Sequence, residues 1–139
     1  MASYNTNYFK NMLIRNIFGN GDPALPSSYF IGLSTTTPTL AGGSVTEPSG
    51  NGYSRVQIER NSTSFTYNSS GMASNADNIT FPSSTGSWGI CTHYVIFSEA
   101  SGGNLLMYGT LNNARTIEAD TTVYLPKGQV QFSVVDVSV

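Results

Sequence analysis

Charged side chains are scarce in this sequence. Asp, Glu, Lys and Arg together make up 10% of the 139 residues, against about 25% in an ordinary soluble domain. The formal net charge is only -2, which gives no long-range attraction for nucleic acid or for an anionic lipid surface. We therefore expect no nucleic acid and no membrane among the partners, and a polar, uncharged surface that tolerates contact with copies of itself.

Cysteine and histidine occur once each, as Cys91 and His93. A single cysteine excludes an internal disulfide framework. One cysteine and one histidine cannot complete a structural zinc site without carboxylates, and no group of aspartates has the spacing of a calcium-binding loop. The glycine-rich segments lack the lysine and the strand-to-helix context of a phosphate-binding loop. The sequence therefore predicts no metal site and no cofactor.

The spacing of Cys91 and His93 is the one arrangement that allows a catalytic hypothesis. Both residues fall on one predicted strand, two positions apart, so we expect their side chains on the same face. A thiol activated by an imidazole would be a nucleophile, but neighbours on one strand rarely reach the required geometry and no acid is placed to orient the histidine. We predict that the protein has no catalytic residue and is not an enzyme.

Long hydrophobic runs are also absent. No stretch of about 18 apolar residues occurs, so the sequence predicts no transmembrane helix. The first 13 residues are polar where a signal peptide requires its apolar region. We expect the protein to be made and used without Sec export.

The densest apolar stretch, residues 79–111, is expected to form the centre of the fold. Residues 90–98 are predicted as a strand, residues 99–104 as a glycine-rich turn and residues 105–111 as the partner strand. The continuous apolar run at 94–97 is typical of a strand that is covered on both faces.

One helix is predicted near the start of the chain, over residues 7–18. Phe9, Met12, Leu13 and Ile17 recur at the spacing of one helix face. Asn5, Thr6 or Asn7 can cap its start, and Gly19 is placed to end it. A helix of about twelve residues is marginal alone, so the apolar face must pack on the protein's own sheet or on a partner subunit.

The rest of the chain is predicted to contain short strands joined by polar turns, with a polar loop at residues 68–77 and a polar link after Leu111. Such spacing favours a mainly β fold, an antiparallel β-sandwich of jelly-roll or immunoglobulin-like type, in one domain of residues 1–139. Residues 1–19 would contain the helix, and residues 28–139 would form the β-sandwich. The further strands are predicted at residues 29–34, 53–59, 64–67, 121–125 and 129–139.

Two segments are expected to contact other subunits. Residues 35–52 form a loop long enough to be either a functional surface arm or a disordered flap. In the last strand the alternation of valines slips by one position near Val134 and Val135. This slip predicts a β-bulge there. Alternatively, both faces of the strand are covered, one by the protein's own core and the other by a partner subunit. The candidate assembly residues, including the helix face, are Phe9, Met12, Leu13, Ile17, Pro38, Leu40, Val45, Pro48, Val135, Val137 and Val139.

Aromatic residues are well represented, with eight tyrosines and seven phenylalanines. Rings on loops, such as Tyr53 and Tyr67, could form a sugar-binding platform, although burial in a core or an interface is the commoner fate of such rings. A host-surface glycan is therefore kept as a possible ligand.

Three segments together resemble a family of small tailed-bacteriophage proteins. They are YFIGLSTTTP with VTEPSGNGYSRV, ITFPSSTGSWGICTHYVIF, and GGNLLMYGTL. Members of that family are described as tail-fibre-like or minor virion proteins, and they also begin with a short amphipathic helix ending in Phe-Gly.

The resemblance implies a structural virion protein, assembled in the cytoplasm of the bacterial host. Such a protein would self-associate, with a homotrimer favoured, and would attach to other phage structural proteins as a tail-fibre-like component or as a decoration of the capsid or neck. The alternative is a module that binds a glycan or receptor on the host surface.

Overall fold

The computed structural model describes residues 3–133, which form a mainly β, antiparallel fold with one helix. The prediction of this fold class is confirmed. In chain order the elements are β1 (Ser3–Asn5), α1 (Asn7–Phe18), β2 (Ser28–Ser34), β3 (Val56–Glu59), β4 (Phe65–Tyr67), β5 (Met72–Asn75), β6 (Ile79–Thr80), β7 (Gly89–Phe97), β8 (Leu105–Ile117), β9 (Tyr124–Leu125) and β10 (Gln131–Ser133).

The strands form three antiparallel sheets. The largest has the order β1-β8-β7-β2-β3, the second has the order β10-β5-β4, and β6 pairs with β9. Strand β7 is the middle strand of the largest sheet, so the apolar hairpin predicted as the centre of the fold does occupy that position. The main core joins the large sheet to the smaller ones through residues such as Leu33, Ile79 and Val130.

The apolar run of β7 is covered on both faces, as predicted. Tyr94 and Ile96 lie in the main core. Val95 and Phe97 lie in a second buried cluster on the opposite face of the sheet. Side chains alternate along a strand, so this four-residue run supplies both layers, which explains why it contains no polar position.

Helix α1 begins and ends where its sequence predicts. Thr6 is the N-cap residue, and its side-chain oxygen accepts a hydrogen bond from the backbone N–H of Phe9. The backbone N–H of Gly19 donates to the carbonyl of Arg15 at the other end. Phe9 and Met12 are buried in the main core, so this helix packs on its own sheet.

Several strand predictions were wrong in their extent. The predicted loop at residues 68–77 contains β5, because that polar segment is held by pairing with β4 and β10 rather than by apolar alternation. The predicted polar link after Leu111 is the second half of β8, which continues to Ile117 because it pairs with the start of β7.

Three further boundaries also differ. Strand β3 starts at Val56 rather than at residue 53, and β9 contains only Tyr124–Leu125. The last strand is described over Gln131–Ser133. The predicted bulge near Val134 and Val135 lies outside the described residues.

The long loop of residues 35–52 has no helix or strand, as predicted, but it is folded back on its own sheet. The backbone N–H of Thr35 donates to the carbonyl of Thr46 at 2.9 Å, and the hydroxyl of Ser34 accepts from the N–H of Thr46 at 3.2 Å. Val45 packs against the second buried cluster. The loop thus covers the face of the large sheet that the smaller sheets leave open.

Candidate functional site

Cys91 and His93 do not share a face, which corrects the expectation from their spacing. The pairing of β7 with β8 shifts register between these two residues. Cys91 lies in the main core with Tyr94 and Ile96, whereas His93 is in phase with Val95 on the other face. A bulge at Thr92 therefore separates the thiol from the imidazole.

The environment of each group is that of a structural residue. Cys91 is fully buried, and burial raises the pKa of its thiol to about 11. Burial lowers the pKa of His93, whose Nδ1 is 2.7 Å from the hydroxyl of its neighbour Thr92. Across residues 3–133, no cluster of three or more His, Cys, Asp or Glu side chains could hold a metal ion.

A polar cluster on the outer side of the large sheet joins Glu47, Tyr53 and Arg55. The guanidinium of Arg55 donates to both carboxylate oxygens of Glu47, from Nε at 3.0 Å and from Nη2 at 2.7 Å. The hydroxyl of Tyr53 donates to Glu47 Oε1 at 2.6 Å and accepts from the N–H of Leu33 at 3.0 Å. Burial and this hydrogen bond to Glu47 raise the pKa of Tyr53.

Arg55 also holds the turn between β7 and β8. Its Nη1 donates to the carbonyls of Glu99 and Gly102, at 2.7 and 2.8 Å. Its guanidinium lies over the ring of Phe97, with Cζ 3.7 Å from the centroid. Since every donor nitrogen of the side chain is bound within the chain, this cluster anchors two loops rather than forming a ligand site.

Two glycines lie where a neighbouring tyrosine leaves no room for a Cβ atom. A Cβ on Gly32 would overlap the hydroxyl of Tyr53 and lie 2.7 Å from Glu47 Oε1. A Cβ on Gly109 would overlap the ring of Tyr94, its cross-strand neighbour. Both positions need glycine because a tyrosine side chain from another segment passes directly over the backbone.

The second half of helix α1 exposes an apolar face. Ile14, Ile17 and Phe18 are 56%, 65% and 82% exposed, and their spacing of three and four residues places them side by side on the helix surface. This helix face (Ile14, Ile17 and Phe18) points away from the side that carries Phe9 and Met12 into the core. Contiguous apolar surface that stays exposed is typical of contacts with other molecules, so this helix face is a candidate for such a contact.

An open pocket of about 480 Å³ lies beside the first half of the same helix. Its floor comes from the helix and the sheets, and its rim carries Arg60, Asn61 and the ring of Tyr67, which is 73% exposed. This volume is in the range of about 300–1,000 Å³ that is usual for ligand sites. The apolar residues of this helix-side pocket include Phe9, Leu13, Phe65, Met107 and Phe132.

A family model described as "Podophage GP4 fiber I protein gp80" matches residues 4–133 of the chain. The chain belongs to this family. Its description is that of a phage fibre protein, so the resemblance to tail-fibre-like virion proteins is confirmed at this level. No curated protein sequence matches the chain. No helix within the described part of this fibre-family protein is long and apolar enough to cross a membrane.

The predicted assembly residues of this fibre-family protein are spread over several environments. Phe9, Met12 and Pro38 are buried within the chain itself. Ile17 and Leu40 are exposed, at 65% and 42%. Leu13, Val45 and Pro48 are half-buried. Val135, Val137 and Val139 lie outside the described residues.

Sequence reasoning missed two features of the fibre-family protein and misjudged a third. Phe18 was not identified, although Ile14 and Phe18 are one helical turn apart and opposite the predicted core face. The Glu47–Arg55 ion pair was not identified, because sequence separation does not reveal that the loop folds back. Tyr53 does not form a sugar platform, since its ring is packed against Trp88 and its hydroxyl is bound.

Proposed function

We propose that this chain is a structural subunit of a phage fibre that self-associates as a homotrimer and attaches to other structural proteins of the particle. The observation that carries the proposal is the match of a phage fibre family to residues 4–133. The subunit would be assembled in the cytoplasm of the bacterial host and kept in the virion, at the tail, the neck or the capsid. It would act through binding, without catalysis.

Self-association is supported by the chemistry of the surface. Only 10% of the residues are charged, so copies of the chain repel each other weakly. The helix face of Ile14, Ile17 and Phe18 is apolar and exposed, and burying such side chains is the main source of association energy. An interface of this kind needs no change in the fold of the subunit.

The proposed interface uses the exposed or half-buried members of the predicted set. On the helix side these are Leu13 and Ile17, and on the long loop they are Leu40, Val45 and Pro48. We include Val135, Val137 and Val139 in the proposal, because in the sequence they alternate with polar residues, a pattern typical of one face of a strand. Phe9, Met12 and Pro38 would support this surface from within.

Size-exclusion chromatography with multi-angle light scattering tests the oligomeric state. We expect a mass three times the 14.9 kDa of the chain, and antibodies against the chain should label purified phage particles. A stable monomer at high concentration, together with particles that carry no label, would refute the proposal.

A second candidate function is binding of a host-surface glycan. The observation that favours it is the exposed ring of Tyr67 next to Asn68, both of which line the helix-side pocket. The amide oxygen of Asn68 accepts from the N–H groups of Ser70 and Met72, so its amide nitrogen is the group offered to a sugar. Aromatic faces stack on sugars and amides bind hydroxyl groups. A glycan array should then show binding that Tyr67→Ala abolishes, and an array without any binding would remove this candidate.

A further inference from the structure

We propose that Phe18 of one subunit inserts into the helix-side pocket of the next subunit, so that the homotrimer closes as a ring of three identical contacts. The inference rests on the proposed self-association and specifies the residues that form the contact. It assigns the pocket to a second copy of this chain.

The inserting group is the most exposed large hydrophobic residue of the described chain. Phe18 is the last residue of α1 and is 82% exposed. Gly19 and Asn20, which follow it, are also exposed. Burial of a phenylalanine side chain removes a large apolar surface from water and so favours association.

The receiving surface is concave and lined by apolar side chains. Phe65 and Phe132 come from the three-stranded sheet, Met107 from the large sheet, and Phe9 and Leu13 from the helix. The volume of about 480 Å³ admits one phenylalanine ring together with a neighbouring side chain such as Ile17. Apolar walls of this kind gain most from an apolar occupant.

Phe18 cannot fill the pocket of its own chain. Phe9 lines that pocket, and Phe18 follows it nine residues later on the same helix. Nine residues of an α-helix correspond to two and a half turns and a rise of about 13 Å, which places the two rings on opposite sides of the helix axis. Phe18 can therefore enter such a pocket only on another copy of the chain.

A contact between two different surfaces of the same protein is heterologous, and such contacts form a closed ring when the rotation between copies closes and an open filament when it does not. A ring of three is the closed form that matches the proposed homotrimer. The charges near the two surfaces are compatible. Asp22 is exposed four residues after Phe18, and it is the only acidic residue before Glu47. Arg60 is among the residues that line the receiving pocket, so Asp22 of one copy can pair with Arg60 of the next. Arg15 on the inserting helix directs its guanidinium to the carbonyl of Asp22 at 3.4 Å.

Two variants test the two sides of the contact separately. Phe18→Ser removes the inserted ring, and Ala73→Trp fills the pocket, because Ala73 lies between the cross-strand neighbours Tyr67 and Phe132. We expect each variant to lose the trimer, with a rise of at least tenfold in the dissociation constant. Tyr124→Ser, at another exposed ring (54%), and Ala73→Ser should leave the trimer intact.

Mixing the two variants gives a signature that only a heterologous contact produces. Phe18→Ser retains an open pocket, and Ala73→Trp retains the ring of Phe18, so an equimolar mixture should form heterodimers with one intact contact and no trimers. Heterodimer formation also shows that Ala73→Trp is folded, which far-ultraviolet circular dichroism checks independently.

Other outcomes overturn the inference in distinguishable ways. If the wild-type protein is a monomer, the proposed function fails and this inference fails with it. If the wild type is a trimer but Phe18→Ser is also a trimer, only the inference fails. If Ala73→Trp dissociates while Phe18→Ser does not, the pocket binds another occupant, such as a glycan or residues 134–139, and the assignment to Phe18 is wrong.

Discussion

Arg55, which directly precedes β3, connects the loop at Glu47, eight residues away, with the turn at Gly102, 47 residues away. Its side chain is mostly buried and forms an ion pair with Glu47 at 2.7 Å. Removing one partner of such a pair leaves an uncompensated charge, which costs about 3–5 kcal/mol when the pair is buried. We therefore expect Arg55→Ala to destabilise the fold by a few kcal/mol, measured by urea unfolding at a fixed protein concentration.

The matched control is Arg115→Ala, because Arg115 is exposed on β8. Exposed substitutions away from such clusters change the free energy of unfolding by about 0.5 kcal/mol or less. Equal effects of the two substitutions would contradict the role given to the Glu47–Arg55 pair.

Cys91 provides a second prediction at the level of one side chain. Burial raises the pKa of its thiol from an ordinary value of 9.0 to about 11. At pH 8 the thiolate fraction falls from about one tenth to about one thousandth, and only the thiolate reacts. Native protein should resist iodoacetamide at pH 8, react faster as the pH approaches 11, and react at once when unfolded in guanidinium. Rapid labelling of the native thiol at pH 8 would reopen the catalytic hypothesis.

Thr6 joins the start of the helix to the large sheet by hydrogen bonds, in addition to the apolar packing of Phe9 and Met12. Thr6 is fully buried. Its hydroxyl accepts from the N–H of Phe9 at 3.3 Å and donates to the carbonyl of Leu105 at 2.7 Å. Loss of an N-cap costs about 0.5–2 kcal/mol, so Thr6→Ala should lower the unfolding free energy by an amount near the upper end of that range.

Thr6→Ser is the matched control, since serine keeps the hydroxyl and lacks only the methyl group of threonine. Its stability should lie much closer to that of the wild type in the same thermal or urea melts. If Thr6→Ser were as damaging as Thr6→Ala, the hydrogen bonds would not be the cause.

At the level of elements, the sequence predicts helices and strands correctly where apolar residues recur at a regular spacing or in a continuous run. The helical spacing of Phe9 and Met12 predicted the position of α1. The continuous apolar run that contains Tyr94 predicted the position of the central strand. Strand β5 was missed because Met72–Asn75 has no apolar alternation and is defined by its pairing partners. The bulge at Thr92 was missed because it arises where residues 111–114 of β8 face a single residue of β7.

For the candidate site, the composition gives the small number of charged residues, but the positions of these residues relative to one another could not be deduced from the sequence. Neither the closeness of Glu47 to Arg55 nor the opening beside Phe9 follows from local sequence, since both depend on contacts between segments about ten to a hundred residues apart. The glycine at position 109 is understandable only once the ring of Tyr94 is seen across the strand pair.

For the whole molecule, the low charge leads to a prediction about salt. If copies associate through Ile17, Phe18 and an apolar pocket, little of the association energy is Coulombic. Exposed pairs such as Asp22 with Arg60 contribute about 0–1 kcal/mol, and at 1 M salt the Debye length falls to about 3 Å. We therefore expect the dissociation constant of the trimer to change by less than about tenfold between 0.1 M and 1 M NaCl.

Sodium sulfate should lower the dissociation constant of the trimer, because it strengthens the burial of apolar surface. A salt that only screens charges would not do so. Sedimentation equilibrium at several concentrations of each salt measures both effects on the same protein. A trimer that dissociates in 1 M NaCl would instead be held together by charge pairs. The chain has only 14 charged side chains among 139 residues, six basic and eight acidic. Single substitutions could therefore identify the groups responsible.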